Sequence, residues 1–298
     1  MRFTLAVAAG LLVAGVAAAP ASAGAPEGAY WRVEETFTKT HPHPVGSGYY
    51  LTERSVSTDW LSPKGERWTA FRELGAKPAT KKDEAAWRAD GSPTTWAYRT
   101  EGMKFRLSTK PGKGWVKRDD DWPGTFKLGA KSYTYQQLQA LPSNADALRR
   151  RLSADVRAWI DEAAKEAKTT DPKATKQDWL VNADRYVAEN AVRLLYADPV
   201  PRKVRAAAYQ VLKTTKGVGD LGRGKDPLGR AGHKLALPVV SGKGTVLKEQ
   251  VLVDTATMTL LAEYTDLTEN GKPVLGKSGV TTYKVGWTDD KPAVPDVS

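Results

Sequence analysis

The sequence predicts an α+β fold with one broad antiparallel sheet, and three observations predict it. Residues 30–135 are rich in Trp, Tyr, Thr and Val and alternate polar with apolar positions between turn signals. Residues 143–213 switch to apolar spacings of three and four. Residues 217–287 return to strand alternation. Strands, then helices, then strands, without βαβ alternation, give an antiparallel sheet of up to ten strands with amphipathic helices over one face.

The first 23 residues set the expected location. Arg2 supplies a positive start, an apolar run occupies residues 5–19, and Ala21-Ser22-Ala23 is a small-x-small cleavage site. We expect a signal peptide over residues 1–23, cleavage after Ala23 and a secreted, extracytoplasmic protein. Retention of the segment as an anchor is the alternative, although the run falls short of the about 20 apolar residues of a spanning helix. Residues 24–298 are expected to form a single domain. The chain has no Cys, which excludes disulfides, cysteine lipidation and thiolate chemistry. Its composition, 41% hydrophobic and 27% charged, excludes wholesale disorder.

Each element follows from local pattern. In residues 30–38, Trp31, Val33 and Phe37 share one strand face. Residues 49–60 alternate again, with Tyr50, Val56 and Trp60 on one parity. Ser62-Pro63-Lys64-Gly65 is a tight turn into a third strand at 66–73. Residues 77–92 are polar and predict a long loop. Strands follow at 94–99 and 103–108, and Pro111-Gly112-Lys113-Gly114 turns into another at 115–117. Ser143 or Asn144 can cap a short helix at 145–152, and a second is expected at 153–168, with Val156, Trp159 and Ile160 on one face. The strongest helical periodicity spans 177–196. A fourth helix at 201–213 starts on a proline in its favoured first-turn place. Strands at 234–240, 247–253, 258–266 and 279–287 complete the sheet, and residues 288–298 predict a flexible, fraying tail.

The precursor carries a net charge of +11. In an exported protein the matching partners are anionic membrane or cell-wall surfaces rather than nucleic acid, with a generally basic soluble surface as the plain alternative. Catalytic signatures are missing. There is no G-x-S-x-G elbow and no H-E-x-x-H. Residues 271–278 match the phosphate-loop pattern by letter, but they sit between two strands where that loop needs a following helix. His41 and His43 have no third ligand nearby in sequence, and Asp119-Asp120-Asp121 lacks the spacing of a calcium loop. We therefore expect no cofactor, no metal and no enzymatic activity. The ten tryptophans are the feature most open to function, since aromatic faces line ligand pockets as well as cores. Trp31, Trp68 and Trp96 on strands, with Trp159 and Trp179 on helices, are the candidates to line a cavity between sheet and helices.

Three stretches carry a resemblance. Leu141-Pro142-Ser143-Asn144-Ala145-Asp146-Ala147-Leu148, the PVPRKVRAAAYQVL segment at 199–212 and the LVDTATMTLLAE segment at 252–263 resemble motifs of an actinobacterial family of exported or membrane-anchored proteins of unknown function, often encoded beside sigma-factor genes. Ala256-Thr257-Met258 departs from the usual Thr-Gly turn of that hairpin. The resemblance spans residues 141–287 and implies a fold similar to the lipoprotein-carrier (LolA-like) superfamily: a curved half-barrel with a central helical block on its concave face. It implies no catalytic residues. The function expected from these readings is the binding or sensing of an apolar or amphiphilic ligand, such as lipid, at the cell envelope. The alternatives are a cell-wall carbohydrate-binding or hydrolytic protein and a protein-interaction module in envelope signalling. The oligomeric state is not legible in the sequence.

Overall fold

A computed structural model describes residues 27–297 apart from 101–102, 130, 171–174 and 243. The expected leader lies outside these residues, and among those described no helix is long and apolar enough to cross a membrane.

The N-terminal strands β1 (Tyr30–Thr40), β2 (Leu51–Leu61) and β3 (Arg67–Pro78) form an antiparallel meander. Next comes α1 (Lys81–Ala89), where a loop was expected. Its polarity reflects position: none of its residues is fully buried, the Thr80 side chain accepts from the Asp83 N–H, and only Ala86 and Trp87 pack, half-buried, against the small core below. The hairpin β4 (Thr95–Thr100) and β5 (Met103–Ser108) stands apart from the main sheet, while β6 (Trp115–Arg118) extends the edge beside β3. A short ribbon of β7 (Phe126–Leu128) and β8 (Lys131–Tyr133) leads through α2 (Tyr135–Gln139) into the helical block.

The block begins with α3 (Ala145–Thr170), one helix where two were expected. Leu148, Leu152, Val156 and Ile160 repeat every four residues straight through position 153 and are all buried, so the apolar stripe continues without a break. The single helix expected over 177–196 is instead divided into α4 (Lys176–Leu180) and α5 (Ala183–Arg193). The break leaves Val181 in solvent and sets Trp179 edge-on to Trp159, with ring centres 5.6 Å apart. After it, α6 (Arg202–Lys213) packs on α3 and α5.

The C-terminal strands are β9 (Gly219–Lys225), β10 (Ala231–Ala236), β11 (Val240–Gly242), β12 (Thr245–Asp254), β13 (Thr259–Glu269), β14 (Lys272–Pro273) and β15 (Gly279–Thr288). The last strand pairs with the first over its whole length, from Tyr30 against Thr288 to Lys39 against Gly279. This pairing joins both strand blocks into an eleven-stranded antiparallel sheet that stays open, with β6 and β9 at its edges. The phosphate-loop look-alike at 271–278 turns through β14 into β15, so no helix end faces it.

One sheet face carries the main core. Trp31, Val33, Leu61, Val251 and Leu260 meet the buried stripes of α3, α5 and α6 there. The tail, expected to be flexible, lies along the opposite face: Pro295 is buried and its carbonyl accepts from Arg72 Nη1 at 2.9 Å. A separate small core, Val45, Tyr49, Leu51, Ala76 and Trp96, anchors the β4–β5 hairpin.

Candidate functional site

Strand alternation places Glu35 on the face already occupied by Trp31 and Val33, two residues beyond the point where the apolar core needs another hydrophobic side chain. A cleft of about 430 Å³ opens there, within the range of about 300–1,000 Å³ typical of ligand pockets. Its floor is Val33 and Glu35 of β1 with Asp59 and Leu61 of β2. One wall is the chain leaving α5, with Arg193, Tyr196 and Ala197. The other is the segment entering β7, where Trp122 meets Phe126 edge to face at 5.4 Å.

The charges in the cleft are unequally matched. Arg67 Nη2 pairs with the Asp59 carboxylate at 3.2 Å and Arg67 also faces Asp119 at 3.7 Å, while Thr69 donates to Asp59 at 2.8 Å. Arg193 forms a fork with the fully buried Asp198, at 3.1 and 3.2 Å. Burial pushes Asp198 up to about 6 despite that arginine. Glu35 is pushed up to about 7, first by burial and then by the neighbouring carboxylates of Asp59 and Glu263, with Arg193 opposing. Among the described residues no side chain hydrogen-bonds the Glu35 carboxyl. The Tyr196 hydroxyl is likewise unbonded among them, and burial with the nearby acids raises its pKa strongly.

Behind the cleft the polar groups continue under the helices. The Tyr196 and Tyr283 rings lie 4.8 Å apart, and the Tyr283 hydroxyl donates to Glu263 at 3.0 Å. Burial raises Glu263 as well, with Arg185 partly offsetting it. Arg185 is itself shared by Glu189, at 2.6 Å, and Glu249.

The five tryptophans expected to line one cavity occupy four places, and none of them lines this cleft. Trp31 is core: its Nε1 donates to the Tyr196 carbonyl at 2.8 Å and the Arg205 guanidinium lies over its ring at 5.3 Å. Trp68 pairs across strands with Trp60 on the opposite sheet face. Trp96 belongs to the small separate core, where its Nε1 donates to the Tyr49 hydroxyl at 2.8 Å. Trp159 and Trp179 pack together on the outer part of the helical block. The tryptophan that does line the cleft, Trp122, lies in a segment with Pro and Gly neighbours and no period. Glu35 had a legible signal, because it is the one charged residue flanked on its own parity by apolar neighbours, Trp31 and Val33 before it and Phe37 after it.

The histidines serve local structure. His41 is buried against Glu53 and edge-on to Tyr98, and His233 bridges Tyr209 at 2.6 Å and Asp220 at 2.9 Å. Among the described residues no three His, Asp or Glu side chains converge as a metal site. No family model matches the chain, and no curated protein is detectably similar to it in sequence.

Proposed function

We propose that this chain is an exported, non-enzymatic binding protein of the cell envelope, built on a lipoprotein-carrier-like half-barrel. It holds an amphiphilic ligand, such as a lipid, between its sheet and its helices. The observation that supports this reading is the cleft, which combines an apolar lining from Val33, Leu61, Trp122 and Phe126 with a Glu35 carboxyl and a Tyr196 hydroxyl that no side chain among the described residues hydrogen-bonds. Apolar walls with a few convergent polar groups are the usual composition of a small-molecule site. The helical block on one face of an open antiparallel sheet also supports the half-barrel reading. The basic surface fits an anionic envelope. The test is native mass spectrometry on residues 24–298 purified from an exporting host, with solvent extraction. A co-purifying amphiphile is the expected result, and a clean apo mass unchanged by added lipids would overturn the proposal.

A second reading is favoured by one observation: two carboxyl groups, Glu35 and Asp59, line the same cleft. An acid kept protonated near neutral pH beside a second carboxylate is the arrangement of glycosidic-bond hydrolysis. Release of soluble fragments from cell-wall polysaccharide by the wild type, lost in Glu35→Gln, would select this reading. Absence of release from such substrates would remove it.

A further inference from the structure

We propose that the cleft selects a cationic head group, an ammonium-bearing amphiphile whose charge pairs with the Glu35 carboxylate while its apolar part lies against Trp122 and Phe126. This inference rests on the binding reading above and specifies its ligand class.

The arginine side chains around the site are already committed to other carboxylates. From β3, Arg67 is divided between Asp59 and Asp119. From α5, Arg193 is committed to Asp198. Glu263 of β13, which acts on Glu35 from behind, receives a hydrogen bond from Tyr283 of β15 but forms no ion pair among the described residues, since Arg185, which offsets it in part, is paired with Glu189 and Glu249. The remaining lysine of the cleft, Lys127, is exposed at the rim. The excess charge at the floor is therefore negative, inside a protein whose total charge is +11. An anionic head would meet Glu35 and Asp59 at the floor, with Glu263 adding like charge from behind, and like charges close in a partly buried site are mutually costly. A cation there would pair with a carboxyl that no side chain among the described residues hydrogen-bonds and whose charge Arg193, committed to Asp198, offsets only in part. Rings complete the fit. The Tyr196 and Trp122 side chains line opposite walls, and aromatic faces attract ammonium groups.

The physical consequence is coupling to pH. A protonated Glu35 offers no charge, so cation binding competes with a proton at this carboxyl, and Asp59, Glu263 and Arg193 set where that competition falls.

The experiment measures binding of decyltrimethylammonium, decyl sulfate and decyl maltoside to the mature full chain by calorimetry, each below its micelle threshold. The cationic amphiphile is expected to bind about tenfold or more tightly than the sulfate, with the maltoside between them. Glu35→Gln is expected to lower the cation affinity about tenfold and to remove the preference for the cation over the sulfate, and lowering the pH to about 5.5 is expected to reproduce that loss in the wild type. Equal affinity for the cation and the sulfate, or an unchanged preference in Glu35→Gln, would overturn this inference while the binding reading stands. Failure of all three amphiphiles to bind would overturn both. Because Gln carries no charge to bury at this site, the variant is expected to fold at least as well as the wild type.

Discussion

The indole nitrogen of Trp31 donates to the backbone carbonyl of Tyr196 at 2.8 Å, across 165 residues of sequence. One bond thus fixes the first strand of the sheet to the chain leaving α5. It holds the wall of the cleft against its floor, since Tyr196 and the neighbouring β1 residues Val33 and Glu35 all line that space. Trp31 is fully buried, with the Arg205 guanidinium over its face and Trp287 edge-on at 5.6 Å.

Trp31→Ala is expected to destabilise the protein by about 3–5 kcal/mol through lost packing. Trp31→Phe keeps a ring but leaves the Tyr196 carbonyl without its donor, and is expected to cost about 1–3 kcal/mol. Denaturant titrations of the two variants check both values. In the binding assays Trp31→Phe should also weaken ligand affinity, because the cleft wall loses its tie.

Glu35 predicts a pH dependence with a definite sign. Its carboxyl is pushed from the ordinary value of 4.5 up to about 7, so the folded chain holds this proton more tightly than the unfolded chain. The stability it contributes is complete below about 4.5 and is lost as pH rises through about 7. Glu35→Gln has no proton to lose. The stability of the variant relative to wild type should therefore grow between about pH 5 and 8, by on the order of 1–3 kcal/mol. Denaturant midpoints of both proteins across that range measure it, and a difference that stays flat would contradict the assignment.

Asp198 is fully buried and faces a half-exposed arginine. Asp198→Ala leaves Arg193 without its carboxylate at the cleft wall and is expected to cost on the order of 3–5 kcal/mol. Asp198→Asn keeps the shape and part of the hydrogen bonding, so it should lie between wild type and alanine. Thermal unfolding of the three proteins gives the order.

The continuity of α3 is tested at Ser153. Proline is tolerated at the first position of a helix but breaks an interior, costing about 3 kcal/mol or more. Ser153→Pro should therefore destabilise strongly, by loss of circular dichroism and a lowered midpoint, if residues 145–170 are one helix as observed. Two helices meeting at that residue would leave stability almost unchanged.

The sequence by itself determined the α+β class with a large antiparallel sheet, the block order of strands, helices and strands, and most strand positions, because periods of two and near four are local consequences of which face is buried. It also set the absence of thiol chemistry and the basic charge. It could not determine α1, where only the adjacent Ala86 and Trp87 pack on the small core and too few apolar residues make a period, or the unity of α3, where a serine inside an unbroken apolar stripe resembles a boundary. Only the tertiary structure decided that β1 and β15 close the two strand blocks into one sheet, since pairing at a separation of about 250 residues leaves no local trace. It also decided the site. Trp31, Trp68, Trp96, Trp159 and Trp179 are equivalent as aromatic letters, and packing sends them to four different places. The charged residue on an apolar strand face, Glu35, acquires its environment only when Asp59, Glu263 and Tyr196 arrive from three other segments. Burial and electrostatics are sums over neighbours in space, and those neighbours are chosen by the fold.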